Sequence, residues 1–222
     1  KRDQDRHRDQ RCADPQDVDH RIADTLGAGI VVAGVKKHPV RIADNQPLRD
    51  ATTDHVLAIT QLASKNSFLD ITKVGIFGHS AGGYDAARAM LLHPDFYKVG
   101  VASAGDHDFR MEKAWWPEMY MGYPVGDFYH EQSNITNASK LKGRLLLAHG
   151  GVDENVNPSA TFKFAEELIK AGKDFDLFIW PSRNHSFGRP PGDYFTKKRW
   201  DYFLEHLLGQ QPLLHYQIPG IK

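Results

Sequence analysis

At 222 residues with 41% hydrophobic side chains, the chain is long enough to bury one sizeable core, and one domain is the default expectation. Its 28 basic and 28 acidic side chains cancel, so composition offers no general attraction to nucleic acid or an anionic membrane surface. A single cysteine, Cys12, excludes an intrachain disulfide and a multi-cysteine metal cage. No apolar run approaches the roughly 20 residues of a membrane span, and the compartment stays open between periplasmic or secreted and cytoplasmic.

Residues 1–26 are rich in Asp, Arg, Gln and His and poor in apolar side chains, so they are expected to be disordered or poorly ordered. From residue 27 to 222 short apolar runs alternate with amphipathic stretches, the pattern of βα units and a doubly wound, mostly parallel sheet. Strands are expected at 30–35, 74–77, 99–102, 145–148 and 177–180, each bounded by Gly, Pro or polar residues. Helices are expected at 54–64, at 81–92 before Pro94, after Asn157 and Pro158 until Gly172, and at 194–208. Residues 105–140 break this rhythm with Trp115, Trp116, Pro117, Tyr120 and Tyr123, which read either as a pocket wall or as a local packing cluster.

Gly78-His79-Ser80-Ala81-Gly82-Gly83 follows the strand at 74–77 and opens the next helix. A serine at a cramped strand-to-helix turn, with small residues two before and two after it, is a nucleophile elbow. Serine at its ordinary pKa is a poor nucleophile and needs an imidazole to take its proton, with a carboxylate behind the imidazole. In this fold the order is Ser, acid, His; Asp153 lies just past the candidate strand at 145–148 and His185 just past the one at 177–180, consecutive strands whose ends share the edge of Ser80. Glu154 and Asp174 are the rival acids, but Asp174 precedes its strand and belongs at the opposite edge. One oxyanion donor is assignable, the backbone N–H of Ala81. His149-Gly150-Gly151 reads as a tight exit into the acid loop, and Asp106-His107-Asp108 does not suit a metal because adjacent residues rarely face one ion.

These stretches, GHSAGGY at 78–84, PDFYKVGVASAGDHD at 94–108, YMG at 120–122, LLLAHGGVDENV at 145–156 and NHSF at 184–187, resemble the catalytic domain of the prolyl oligopeptidase family, in its dipeptidyl peptidase IV-like branch. The resemblance implies an α/β-hydrolase fold and a serine peptidase with Ser80, Asp153 and His185 as the triad. It also implies Asn155 as a donor to a substrate carbonyl and Val156 at the S1 pocket. Trp115, Trp116 and Tyr120 stand where that branch lines the same pocket with tyrosines. A peptide substrate, no cofactor and no metal follow, together with a possible homodimer and a possible N-terminal β-propeller in the whole protein. Residues 1–50 do not resemble the family, so the early strands are expected to be missing or divergent, along with the tyrosine loop that supplies a second oxyanion donor. A carboxylesterase using the same triad and an inactive remnant are the alternatives.

Overall fold

Each strand of the structure, a computed structural model that describes residues 31–34, 51–186 and 194–212, grows from one of the short apolar runs. They are β1 (Val31–Gly34), β2 (Val74–His79), β3 (Tyr97–Ser103), β4 (Arg144–Gly150) and β5 (Asp176–Trp180). Between them lie α1 (Ala51–Lys65), α2 (Ala81–Leu92), the short α3 (Trp115–Met121) and α4 (Asp127–Glu131), and α5 (Ser159–Lys170), with α6 (Tyr194–His206) last. The helix limits follow from local chemistry. Asp54 in the first turn of α1 and Lys65 in its last complement the helix dipole. Asn157 Oδ1 accepts from Ser159 N at 2.9 Å at the start of α5, and α2 stops where Pro94 has no N–H to offer.

The five strands pair in the order β1-β2-β3-β4-β5, all parallel. Strand order therefore equals chain order, and every crossover steps in the same direction. Right-handed crossovers that step one way must leave their helices on one face. α1, α2 and α5 occupy that face, where Ile59, Met90, Phe164 and Leu168 join Val74, Ile76, Leu145 and Leu147 in one core. α6 follows the last strand and is no crossover, so it is free to cover the other face, where Phe195, Tyr202 and Phe203 meet Val99, Val101 and Leu146. Leu145, Leu146 and Leu147 are each almost fully buried, to alternate sides, and each such side chain contributes about 1.5–3 kcal/mol.

β1 pairs in register with β2, Val31 beside Val74, and so takes the position next to the elbow strand. The expected disordered segment at 1–26 lies outside the described residues. The excursion between β3 and β4 returns to the core through Ala138 and Leu141, and among the described residues no helix is long and apolar enough to cross a membrane. All the parallel strands point the same way, so the loops that leave β2, β3, β4 and β5 gather at one edge of the sheet.

Candidate active site

Ser80 sits between the end of β2 and the first turn of α2, with φ 62° and ψ −125°. Among the described residues, the other non-glycine residue with positive φ is Ala104, just past β3 (φ 47°). The two strained residues lie side by side, since Ser80 N donates to Ser103 O at 2.9 Å. A positive φ at a side-chain-bearing residue costs of order 1–3 kcal/mol and persists only where the surroundings impose it. Here a Cβ on Gly78 would stand 1.9 Å from the Gly82 carbonyl oxygen, so the two glycines flanking the serine pack backbone on backbone. Ser80 is thereby held at the turn with only 8% of its surface exposed.

His185, on the loop after β5, places Nε2 2.9 Å from Ser80 Oγ and Nδ1 2.8 Å from Asp153 Oδ2. Asp153, on the loop after β4, is buried and accepts on Oδ1 from the backbone N–H groups of Asn155 and Val156, both at 2.9 Å. Burial alone would raise its pKa. The bonds from His185, Val156 and Asn155 outweigh that effect and hold the carboxyl below its usual range, so it is ionised. The two loops are zipped together: Gly151 N donates to Trp180 O at 2.8 Å and Val152 N to Arg183 O at 3.1 Å. The rival acids stand apart, with Glu154 exposed and Asp174 ahead of β5 and exposed.

Ala81 is the first residue of α2, a position whose N–H has no intrahelical acceptor. The expectation that the tyrosine loop with the second oxyanion donor is missing or divergent bears on residues 1–50, most of which lie outside the described residues. Asn155 accepts from Lys113 Nζ on its backbone oxygen and, at 3.3 Å, on Oδ1, which leaves its amide N–H groups to donate elsewhere. The Val156 side chain is buried while its backbone N–H is committed to the acid.

Part of the excursion packs on itself. The Trp116 ring lies tilted against Phe109 at 5.5 Å and edge-on to Tyr120 at 4.8 Å, and Trp116 and Phe109 join Met121, Tyr129 and Tyr84 of α2 in a small core of their own. Trp115 takes no part in it and is 60% exposed. The Asp106-His107-Asp108 side chains diverge: Asp108 pairs with Arg110 and Ser133, His107 meets Asn134 Nδ2 at 3.2 Å, and Asp106 is buried beside Glu112 and Lys113.

Two histidines that the sequence gives no role in the triad, His79 and His149, prove to be neighbours of the three central residues. The His79 ring lies against the His185 ring, with centroids 5.0 Å apart and planes tilted by 47°. Ser103 Oγ gives its proton to Gly78 O, so His79 Nδ1 is the donor in its 3.0 Å bond to that hydroxyl. His149 is wholly buried behind Asp153, with Nε2 3.1 Å from Asp153 Oδ2 and Nδ1 2.7 Å from Thr161 Oγ1 of α5. Strand alternation carried the signal for it, because Leu145, Leu147 and His149 must face one side of β4, the side that α5 covers.

Known proteins bear on this arrangement. The profile of the prolyl oligopeptidase family matches residues 43–211. Dipeptidyl peptidase 8 of Homo sapiens is 34% identical over 160 residues, 69% of this chain and 18% of that protein. A second relative, named inactive dipeptidyl peptidase 10, of Rattus norvegicus, is 30% identical over 157 residues, 69% of this chain and 20% of that one. The crystal structure of Porphyromonas gingivalis dipeptidyl peptidase 4 superposes with a TM-score of 0.65 at 28% identity, covering 72% of this chain and 23% of that chain. The chain thus spans about a fifth of the length of these relatives. With the profile covering most of the described sheet and helices, this chain belongs to the prolyl oligopeptidase family and has an α/β-hydrolase fold.

Proposed function

We propose that the chain is the catalytic part of a serine peptidase that cleaves short peptides, in the manner of a dipeptidyl- or oligopeptidase, through an acyl-enzyme. The observation that carries this is the unbroken path Ser80 Oγ, His185, Asp153, with bonds of 2.9 and 2.8 Å, at the open edge of the sheet. In this reading Ser80 Oγ attacks the peptide carbonyl while His185 Nε2 takes the hydroxyl proton. Asp153 receives the Nδ1 proton of His185 in a hydrogen bond and stabilises the imidazolium without itself being protonated. The oxyanion faces the Ala81 N–H, at the positive end of α2. His185 then returns the proton to the departing amine, and water repeats the sequence to release the acid.

Asn155, with its side-chain oxygen turned to Lys113, offers an N–H to a substrate carbonyl, and Val156, Trp116 and Tyr120 border the P1 side chain. No step calls on a cofactor.

The reading is tested by treating the purified chain with a fluorophosphonate, which phosphonylates an activated serine with loss of fluoride. Wild type is expected to label, and Ser80→Ala and His185→Ala are not. Equal labelling of Ser80→Ala would sink the assignment, and an unlabelled wild type would place the chain with its inactive relative. Turnover of dipeptide anilides against short acyl esters then separates peptidase from esterase.

A further inference from the structure

His149 closes a second hydrogen-bonded path onto the same carboxylate. Its ring is 0% exposed, held between the end of β4, the acid loop and α5. Around Nε2 stand two acceptors, Asp153 Oδ2 and the Val156 carbonyl oxygen, each at 3.1 Å. Neither has a proton to give, because Asp153 is ionised, so Nε2 must carry the ring proton. Nδ1 meets the Thr161 hydroxyl at 2.7 Å, and that hydroxyl is the donor in the bond. Thr161 is itself buried, so this assignment is not exchanged with solvent.

The four donors on Asp153 then divide evenly. Oδ1 takes the two backbone N–H groups, and Oδ2 takes His149 Nε2–H and His185 Nδ1–H. We propose that His149 is a positioning residue for the acid: a neutral imidazole, held as its Nε2–H tautomer by the Asp153 and Val156 oxygens with Thr161 donating to Nδ1, that shares the Asp153 oxygen bonded to His185 and so limits how strongly that carboxylate holds a proton on His185. The inference rests on the reading of Ser80, His185 and Asp153 as one catalytic unit.

Electrostatics supports a neutral ring. Burial is the largest influence on His149 and pushes its pKa down, more than the Val156 carbonyl and Asp153 push it up. The titratable groups that face it are Asp153 from its own loop, His185 from the loop after β5 and His107 from the segment after β3, the last also kept neutral by burial. His79 faces His185 from the end of β2. A charged His149 would add a cation beside His185 and oppose formation of the imidazolium, whereas a neutral donor steadies the carboxylate and stays compatible with it.

The test is nitrogen-15 NMR of the 222-residue chain with labelled histidine, comparing wild type with His149→Gln and His149→Leu. Wild-type His149 is expected to hold the Nε2–H tautomer and to stay neutral from pH 7 to 9. In His149→Leu, Asp153 Oδ2 loses a donor and gains effective charge, so the His185 midpoint should rise by about half a unit to one unit. His149→Gln keeps an N–H at the same distance along the side chain, and its His185 midpoint should stay within about 0.3 unit of wild type. A wild-type His149 that titrates in this range, or that carries its proton on Nδ1, overturns the proposal, as does a leucine variant that melts earlier yet leaves the His185 midpoint unmoved. These readouts need no turnover, so they stand or fall separately from the labelling of Ser80.

Discussion

Asp153 accepts at both oxygens from donors only, two on each, and this fullness makes it the residue least able to tolerate a neutral isostere. An amide in its place must point an NH2 group either at the backbone N–H groups of Asn155 and Val156 or at the rings of His149 and His185. Either choice sets donor against donor in a buried place and forfeits hydrogen bonds worth about 1–3 kcal/mol. If the amide faces the rings, His185 also turns toward the wrong tautomer, a fault that costs roughly 10⁴ in rate in a triad of this kind. Asp153→Asn is therefore expected to label with fluorophosphonate roughly 10³–10⁴ times more slowly than wild type and to melt earlier. A labelling rate within tenfold of wild type would show that His185 takes its orientation from elsewhere.

The loops leaving β4 and β5 behave as one element, because their backbones are bonded to each other and touch where Gly150 passes beneath residues 183 and 184. A Cβ on Gly150 would lie 2.3 Å from the Arg183 carbonyl oxygen and 2.5 Å from that of Asn184, both backbone atoms that cannot swing aside. Gly150→Ala must push away the segment that ends in His185. A displacement of about 1 Å of a catalytic group costs on the order of 10² in rate, so labelling of Ser80 should slow by about that factor, with a lowered melting temperature. Wild-type labelling in this variant would mean that the two loops do not move together. Much at this scale was legible in the sequence: the four strands β2 to β5 begin and end within two residues of their apolar runs, and chain order alone put Ser80, Asp153 and His185 on loops that meet. What was not legible has a common cause. α3 and α4 are short, and their aromatic residues pack on Tyr84 and Phe109 instead of the sheet, so no periodicity announces them. His149 was read as part of a turn because its glycine neighbours signal one, while the alternation that turns it toward α5 runs through a strand too apolar on both faces to stand out.

Across the whole molecule, buried titratable groups pull stability in opposite directions with pH. Asp106 is 4% exposed, its Oδ2 has no hydrogen-bond partner, and burial, then the nearby charge of Glu112, raises its pKa from 3.8 to about 8. The folded protein thus keeps a proton that the unfolded chain releases near pH 4. Stability from this group is full below that pH and is lost as pH rises toward and through about 8. His107 is the reverse case, since burial, helped by His149, lowers its pKa from 6.5 to about 3, and its contribution is full above pH 6.5 and lost as pH falls. His149 acts in the same sense as His107. Between pH 4 and 6.5 the opposing slopes largely offset one another, and above 6.5 Asp106 acts alone among these three, so stability should peak near pH 6.5 and decline toward 8. Asp106→Asn substitutes a neutral group of the same shape and still offers an oxygen to the Asp108 N–H. The variant should match wild type closely at pH 4.5 and exceed it at pH 7.5 by at least about 1 kcal/mol, or roughly 2–4 °C in melting temperature for a domain of this size. Thermal melts at the two pH values decide the matter: an equal difference at both would mean that Asp106 is not protonated in the fold.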